Sequence, residues 1–134
     1  GKAAKPRIGN DITVVTLSYT VELALEAAKE VETDGIDVEV IDLRSIVPLD
    51  IETVIESVSK TNRLLVVDED YLSFGLSGEI IARVVESLGA SKLKQVRRHA
   101  VPDTPIPAAI TLEEAIVPSC LSISSIIRDM SKGL

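Results

Sequence analysis

The sequence predicts an α/β protein whose helices cover both faces of a mainly parallel sheet. Short β-branched runs alternate along the chain with segments whose apolar residues recur at helical spacing, the pattern of β-α-β units with right-handed crossovers. The core has to be aliphatic: 46% of the 134 residues are hydrophobic, yet only Tyr19, Tyr71 and Phe74 are aromatic and there is no Trp. Val, Ile, Leu and Ala suit helices laid on a parallel sheet. The length is that of one domain over residues 1–134, enough to bury roughly 65–70% of the surface an unfolded chain exposes.

Residues 12–17 (ITVVTL) follow Gly9-Asn10-Asp11 and read as a buried strand. Ser18 or Thr20 is placed to cap the next helix, whose apolar stripe is Val21, Ala24, Leu25, Ala28 and Val31; Gly35 is placed to end it. Residues 36–43 (IDVEVIDL) alternate apolar with acidic side chains, predicting a strand with one wetter face. Pro48-Leu49-Asp50 opens a second helix, with Asp50 as its cap and Ile51, Val54, Ile55 and Val58 as its stripe. Residues 63–68 (RLLVVD) form a continuous apolar strand, followed by a loop through Tyr71 and Gly75.

Ser77 is placed to cap a third helix carrying Ile80, Ile81, Val84, Val85 and Leu88, with Gly89 just past its end. Residues 94–99 give a shorter strand. Pro102, Pro105 and Pro107 then predict an extended surface segment, because proline lacks the amide proton that a helix or central strand needs. Residues 113–117 are expected to make a brief helical turn. A last helix starts near Ser119 and turns Ile123, Ile126, Ile127 and Met130 inward. In such a sheet the functional loops lie at the carboxyl ends of the strands, here residues 18–20, 44–48 and 68–77.

The net charge of −7 repels phosphate backbones and anionic membrane surfaces, so neither nucleic acid nor membrane is expected as a partner. Residues 92–98 are locally basic, which an exposed strand edge explains as well as a binding patch does. The single Cys120 forms no internal disulfide, and no apolar run approaches the roughly 20 residues needed to span a bilayer. The chain opens at Gly1 without an initiator Met, as a fragment of a longer protein would.

Reactive groups are sparse. His99 at the end of a strand reads as a structural or surface residue, and Cys120 as a small hydrophobe at a helix start. One His and one Cys do not build a structural zinc site, and no oxygen-rich calcium loop is present. Asp68-Glu69-Asp70 after a strand has the position of acid/base residues in α/β enzymes, and equally that of a solvated loop. Gly75-Leu76-Ser77-Gly78 sits where a phosphate-binding turn would, without the full glycine fingerprint or the Walker lysine. The helix starts at Thr20 and Ser77 offer N–H groups to a small anion; ordinary capping accounts for the same residues.

Five ordered signatures carry a family resemblance: DITVVT from residue 11, IDLRSIVPLD from 41, KTNRLLVVDE from 60, GLSGEI from 75 and VPDTPIP from 101, with Ile116-Val117-Pro118 leading into the last helix. Together they resemble the transketolase carboxyl-terminal domain, in the version found in beta subunits of pyruvate, branched-chain 2-oxoacid and acetoin dehydrogenases. The resemblance implies a three-layer α/β/α sandwich and a five-stranded mixed sheet of order 1-3-2-4-5. Its short antiparallel first strand falls at residues 4–8, although Pro6 restricts that strand to an edge. It also sets the strands ending near Leu17 and Asp68 side by side, so Ser18, Tyr19, Thr20, Asp68, Glu69, Gly75, Ser77 and Gly78 flank the switch point as candidates for a ligand or an interface.

The same resemblance implies that this chain holds no catalytic or cofactor-binding residues and is inactive alone. Thiamine diphosphate, with magnesium, would be bound in the full enzyme by the alpha subunit and the preceding domain of the beta subunit. The implied partners are the alpha subunit, a second beta subunit in a heterotetramer, and the dihydrolipoyl acyltransferase core, with Asp103, Glu113 and Glu114 as docking candidates. The implied compartment is bacterial cytoplasm or mitochondrial matrix. Two alternatives stay open: a stand-alone module binding a small anion or nucleotide at the switch point, and the equivalent domain of a transketolase or deoxyxylulose-phosphate synthase.

Overall fold

A computed structural model describes residues 2–71, 75–101 and 117–134. The elements are β1 (Ala4–Arg7), β2 (Ile12–Thr16), α1 (Thr20–Glu32), β3 (Val38–Asp42), α2 (Ile51–Thr61), β4 (Arg63–Tyr71), α3 (Leu76–Leu88), a 3₁₀ turn (Ala90–Lys92), β5 (Gln95–Val101) and α4 (Cys120–Met130). The sheet runs β1-β3-β2-β4-β5, with β1 antiparallel to β3 and the other pairs parallel. Architecture and strand order agree with expectation, including the adjacency of β2 and β4. The proline-rich segment and the turn expected at 113–117 lie outside the described residues, apart from Val117.

Each central strand buries both faces because successive side chains point to opposite sides. Ile12 and Val14 of β2, with Val38, Val40, Leu65 and Val67, pack under α1 and α4. Val15, Ile41, Leu64 and Val66 pack under α2 and α3. Burying one such side chain stabilises the fold by about 1.5–3 kcal/mol relative to leaving it in water. The stripe foreseen for α4 agrees: Ile123, Ile127 and Met130 are buried, and Ile126 lies partly buried against the same core.

The helix ends show how local sequence stops each element. Gly35 (φ +79) lets the chain reverse after α1: its N–H donates to the Glu32 carbonyl at 2.9 Å, and Ile36 N–H reaches Val31 O at 3.3 Å. Ile36 thereby packs beside Val31 in the core. Asp50 caps α2, its Oδ1 accepting from Thr53 N at 3.2 Å. Ser119 caps α4 through a reciprocal pair of bonds with Ser122.

Several expectations are corrected. Ser18 and Thr20 do not cap α1, since the N-cap is Tyr19 and the Thr20 hydroxyl donates back to Leu17 O at 2.6 Å. Ser77 does not cap α3: the N-cap is Gly75, and Ser77 lies inside the helix on its buried face with Ile80 and Val84. The strand expected to end at Asp68 runs on through Glu69, because pairing with β5 carries it to Tyr71. Finally, β3 has no wetter face. Glu39 is fully buried, with β1 against its strand's outer edge and Lys60 of α2 reaching it.

Glu39 anchors a polar seam inside the α2 layer. Lys60 Nζ donates to its Oε1 at 2.6 Å, Gly9 N–H donates to the same oxygen at 3.2 Å, and Lys5 stands 3.9 Å from Oε2. Burial alone would raise the carboxyl, but the bonds from Lys60, Ser57 and Gly9 outweigh it and hold it below the usual glutamate value. Beside it, Thr13 Oγ1 lies 2.6 Å from Ser57 Oγ and 2.7 Å from Thr61 Oγ1. Gly9 has to be glycine here, since a Cβ would come within 2.4 Å of the Val38 carbonyl carbon.

Candidate functional site

The carboxyl edge is built by the loops that leave β2 and β3, two hydrogen-bonded neighbours. After β2 the chain turns at Ser18, whose φ of 60° lies in the left-handed region that non-glycine residues enter at a cost. The Thr20 hydroxyl closes the turn, donating to Leu17 O and accepting from Leu17 N. After β3, Leu43 N–H still pairs with Thr16 O at 3.0 Å, then Arg44 turns at φ 63° with its N–H on Asp42 Oδ1 at 3.0 Å. Ser45 Oγ donates to Val47 O at 3.1 Å. Both loops are held by these hydrogen bonds and point apolar side chains outward: Tyr19 is 49% exposed, Ile46 46% and Val47 88%.

The candidate residues fall into two groups. Ser18, Tyr19 and Thr20 follow β2, and Asp68 and Glu69 belong to β4 beside it. The register Val15↔Val66, carried on by two residues, sets Leu17 level with Asp68. Asp68 is buried and Glu69 exposed. Gly75, Ser77 and Gly78 form the second group, at the start of α3, over β4 and β5 rather than over β2. Among the described residues a side chain on Gly78 would meet only Arg98, at 3.8 Å. Ser77 Oγ is buried without a hydrogen-bond partner among the described residues. Asp103, Glu113 and Glu114 lie outside the described residues.

His99 and Cys120 meet neighbours of a structural kind. His99 Nε2 is 2.7 Å from Ser122 Oγ, which joins β5 to the first turn of α4, and burial lowers its pKa. Cys120 is half-buried and packs against the core under α1. Among the described residues no three His, Cys, Asp or Glu side chains converge to hold a metal ion. No described helix is long and apolar enough to cross a membrane.

Three features escaped the sequence reading: buried Glu39, the left-handed turns at Ser18 and Arg44, and the outward-facing Ile46 and Val47. Only the last left a signal, an apolar pair between Arg44-Ser45 and Pro48 that no periodic stripe uses.

Over residues 1–123 the chain matches the family described as "Transketolase, C-terminal domain". It is 38% identical over 133 residues to the acetoin:2,6-dichlorophenolindophenol oxidoreductase subunit beta of Cupriavidus necator, covering 99% of this chain and 39% of that protein. It is 44% identical over 128 residues to the mitochondrial pyruvate dehydrogenase E1 component subunit beta-1 of Arabidopsis thaliana, covering 96% of this chain and 34% of that protein. The chain thus spans little more than a third of these relatives. Among solved structures, a split-gene transketolase described as an inactive beta4 tetramer superposes with a TM-score of 0.81 at 25% identity, over 96% of this chain and 42% of that one.

Proposed function

The chain belongs to the transketolase carboxyl-terminal domain family, and from that we propose that it serves as the association domain of the beta subunit of a thiamine-diphosphate-dependent 2-oxoacid dehydrogenase, folding as one unit. The observation that carries this reading is the pair of adjoining loops that present Tyr19, Ile46 and Val47 to solvent at the carboxyl edge. Exposed apolar side chains on loops held rigid by internal hydrogen bonds suit a contact with another chain, because little conformational freedom is lost on docking. Relatives named as beta subunits of pyruvate and acetoin enzymes, bacterial and mitochondrial, support the same assignment.

In such an enzyme, thiamine diphosphate with its magnesium supplies the electron sink for decarboxylation. We assign its binding to the alpha subunit and the rest of the beta subunit. This chain contributes the surface: Tyr19, Ile46 and Val47 lie against a neighbouring alpha or beta subunit. Asp103, Glu113 and Glu114 supply charge toward a basic domain of the acyltransferase core, which speeds encounter.

Two measurements test this. Calorimetry of the isolated chain with thiamine diphosphate and magnesium should give no heat of binding, and micromolar affinity would overturn the assignment. Sedimentation should show the chain joining its alpha or beta partners, with Val47→Asp weakening association about ten-fold or more. Unchanged association would remove the carboxyl edge from the interface. The buried Ser77 hydroxyl, without a partner among the described residues, favours a second reading, anion binding at the start of α3. Titration with inorganic phosphate or ATP would then move the amide signals of Gly75 and Gly78, and a flat titration rejects it.

A further inference from the structure

We propose that the outer edge of β5 is a docking strand for an acidic, extended segment of a partner protein, separate from the carboxyl-edge surface. The two edges of the sheet differ in a way that points there. At the β1 edge the strand is four residues long and Pro6 has no N–H to offer. At the opposite edge β5 is seven residues long, contains no proline, and pairs on its outer side with no strand among the described residues. An edge strand presents unpaired N–H and C=O groups, the template that an added strand uses.

Charge says what would bind. Lys92, Lys94, Arg97 and Arg98 place four of the chain's 14 basic residues within seven positions, with no carboxylate between residues 87 and 102, on a protein of net charge −7. Lys92, Lys94 and Arg98 are exposed. Because alternate residues face opposite sides, the cations flank the edge on both faces: Arg98 lies over Gly78 of α3, and Arg97 pairs with Asp129 of α4. That pair is half in water, and Asp129 also holds Lys132 at 3.1 Å, so Arg97 can turn to a second carboxylate at little cost. An open cavity of about 300 Å³ bounded by Gly78, Ile81, Val96, Arg97 and Arg98 gives room beside the strand. An extended peptide alternates its side chains in the same way, so carboxylates along it meet Arg98 and Lys94 on one face and Arg97 on the other.

The same charges disfavour other occupants. A second copy added antiparallel across a two-fold axis would set Arg97 and Arg98 near their own images, and like charges across a strand pair destabilise it. A nucleic acid would meet the repulsion of the remaining acidic surface.

The test is a titration of the isotopically labelled chain, at low salt, with a blocked decapeptide in which pairs of glutamates alternate with pairs of threonines, so that carboxylates lie on both faces of the extended peptide. Its lysine counterpart and a ten-nucleotide thymidine strand serve as rival probes. The glutamate peptide should move the amide signals of residues 95–101 and slow their hydrogen exchange, while the lysine peptide leaves them in place. Arg98→Glu with Lys94→Glu should weaken binding about ten-fold or more with the rest of the spectrum unchanged, and Arg98→Lys should retain it. If the double reversal disturbs the fold, Lys92→Glu alone, on the exposed turn before β5, should still weaken binding several-fold. Signals moving elsewhere, no binding, or a thymidine strand binding these residues more tightly than the peptide would overturn the proposal.

Discussion

At the amino ends of β2 and β3 the polar groups answer one another inside the domain. Asn10 N–H and Asp37 Oδ2 meet at 2.9 Å, Asp37 N–H and Asp11 Oδ2 at 2.8 Å, and Gly9, Lys5 and Lys60 close on Glu39. At the carboxyl ends of the same two strands, the loops hold left-handed turns at Ser18 and Arg44 and turn Tyr19, Ile46 and Val47 to water. One end closes on itself and the other turns apolar side chains to water. In parallel α/β sheets the carboxyl ends carry the sites while the opposite end carries stability, and here the division falls within two adjacent strands. Substitutions at the two ends should therefore separate folding from association.

The largest effect is expected at Glu39. Replacing it by Ala strands Gly9 and Lys60 without their acceptor and should lower the unfolding free energy by about 3 kcal/mol, read from urea melts. Lys60 keeps contact with water, which holds the loss toward the lower end for a broken buried pair. A loss below about 1 kcal/mol would mean that the amino end is not the anchor. Gly9→Ala comes next. The added methyl meets the Val38 backbone, and a loss of roughly 1–3 kcal/mol is expected for such overpacking. A neutral result would show that β1 shifts freely.

Acidity probes the folded state more gently. Burial lowers the pKa of His99 from its ordinary 6.5, so the unfolded chain takes up a proton at that site before the folded chain does. Its contribution is fully present above about 6.5 and is lost as pH falls through the lower folded value. Melts of His99→Gln should show a shallower pH dependence just below 6.5 than the parent, and identical slopes would contradict the burial. Glu39 and Asp50 also have lowered values, Asp50 chiefly through the Thr53 hydroxyl. Their contribution is present above the usual carboxylate range and disappears in stronger acid as each folded value is passed. The smallest effect on folding is expected at the open end. Val47→Asp should leave the melting free energy within about 0.5 kcal/mol while reducing association, so a destabilised variant would break the division.

Much of the fold was legible because its causes are local. Apolar stripes marked the helices, Asp50 and Ser119 marked two starts, and Gly35 marked a stop. What stayed hidden depends on residues far apart in sequence. Glu39 looks solvated in IDVEVIDL, and only the arrival of Lys60 and Gly9, 21 and 30 residues away, makes its burial tolerable. The hydroxyls of Ser77 and Thr20 suggested caps, but the apolar face of α3 and the Leu17 backbone claimed them instead. Glu69 belongs to a strand because β5 extends the ladder past Asp68, which no local pattern announces. Of the candidate site, the neighbouring placement of β2 and β4 came from the family resemblance rather than from periodicity. The exposed pair Ile46 and Val47 was visible as a string of letters without a periodic role.

The position of β2 also has a consequence for synthesis. It lies at the centre of the sheet, yet Thr13 pairs with Leu64, 51 residues further on. At translation rates of roughly 5–20 residues per second, one flank of the emerging strand waits several seconds for its partner after β3 has already taken the other. During that interval Val14 and Val15 sit beside open main-chain groups, and a ribosome-associated chaperone that recognises apolar extended chain has its opportunity there.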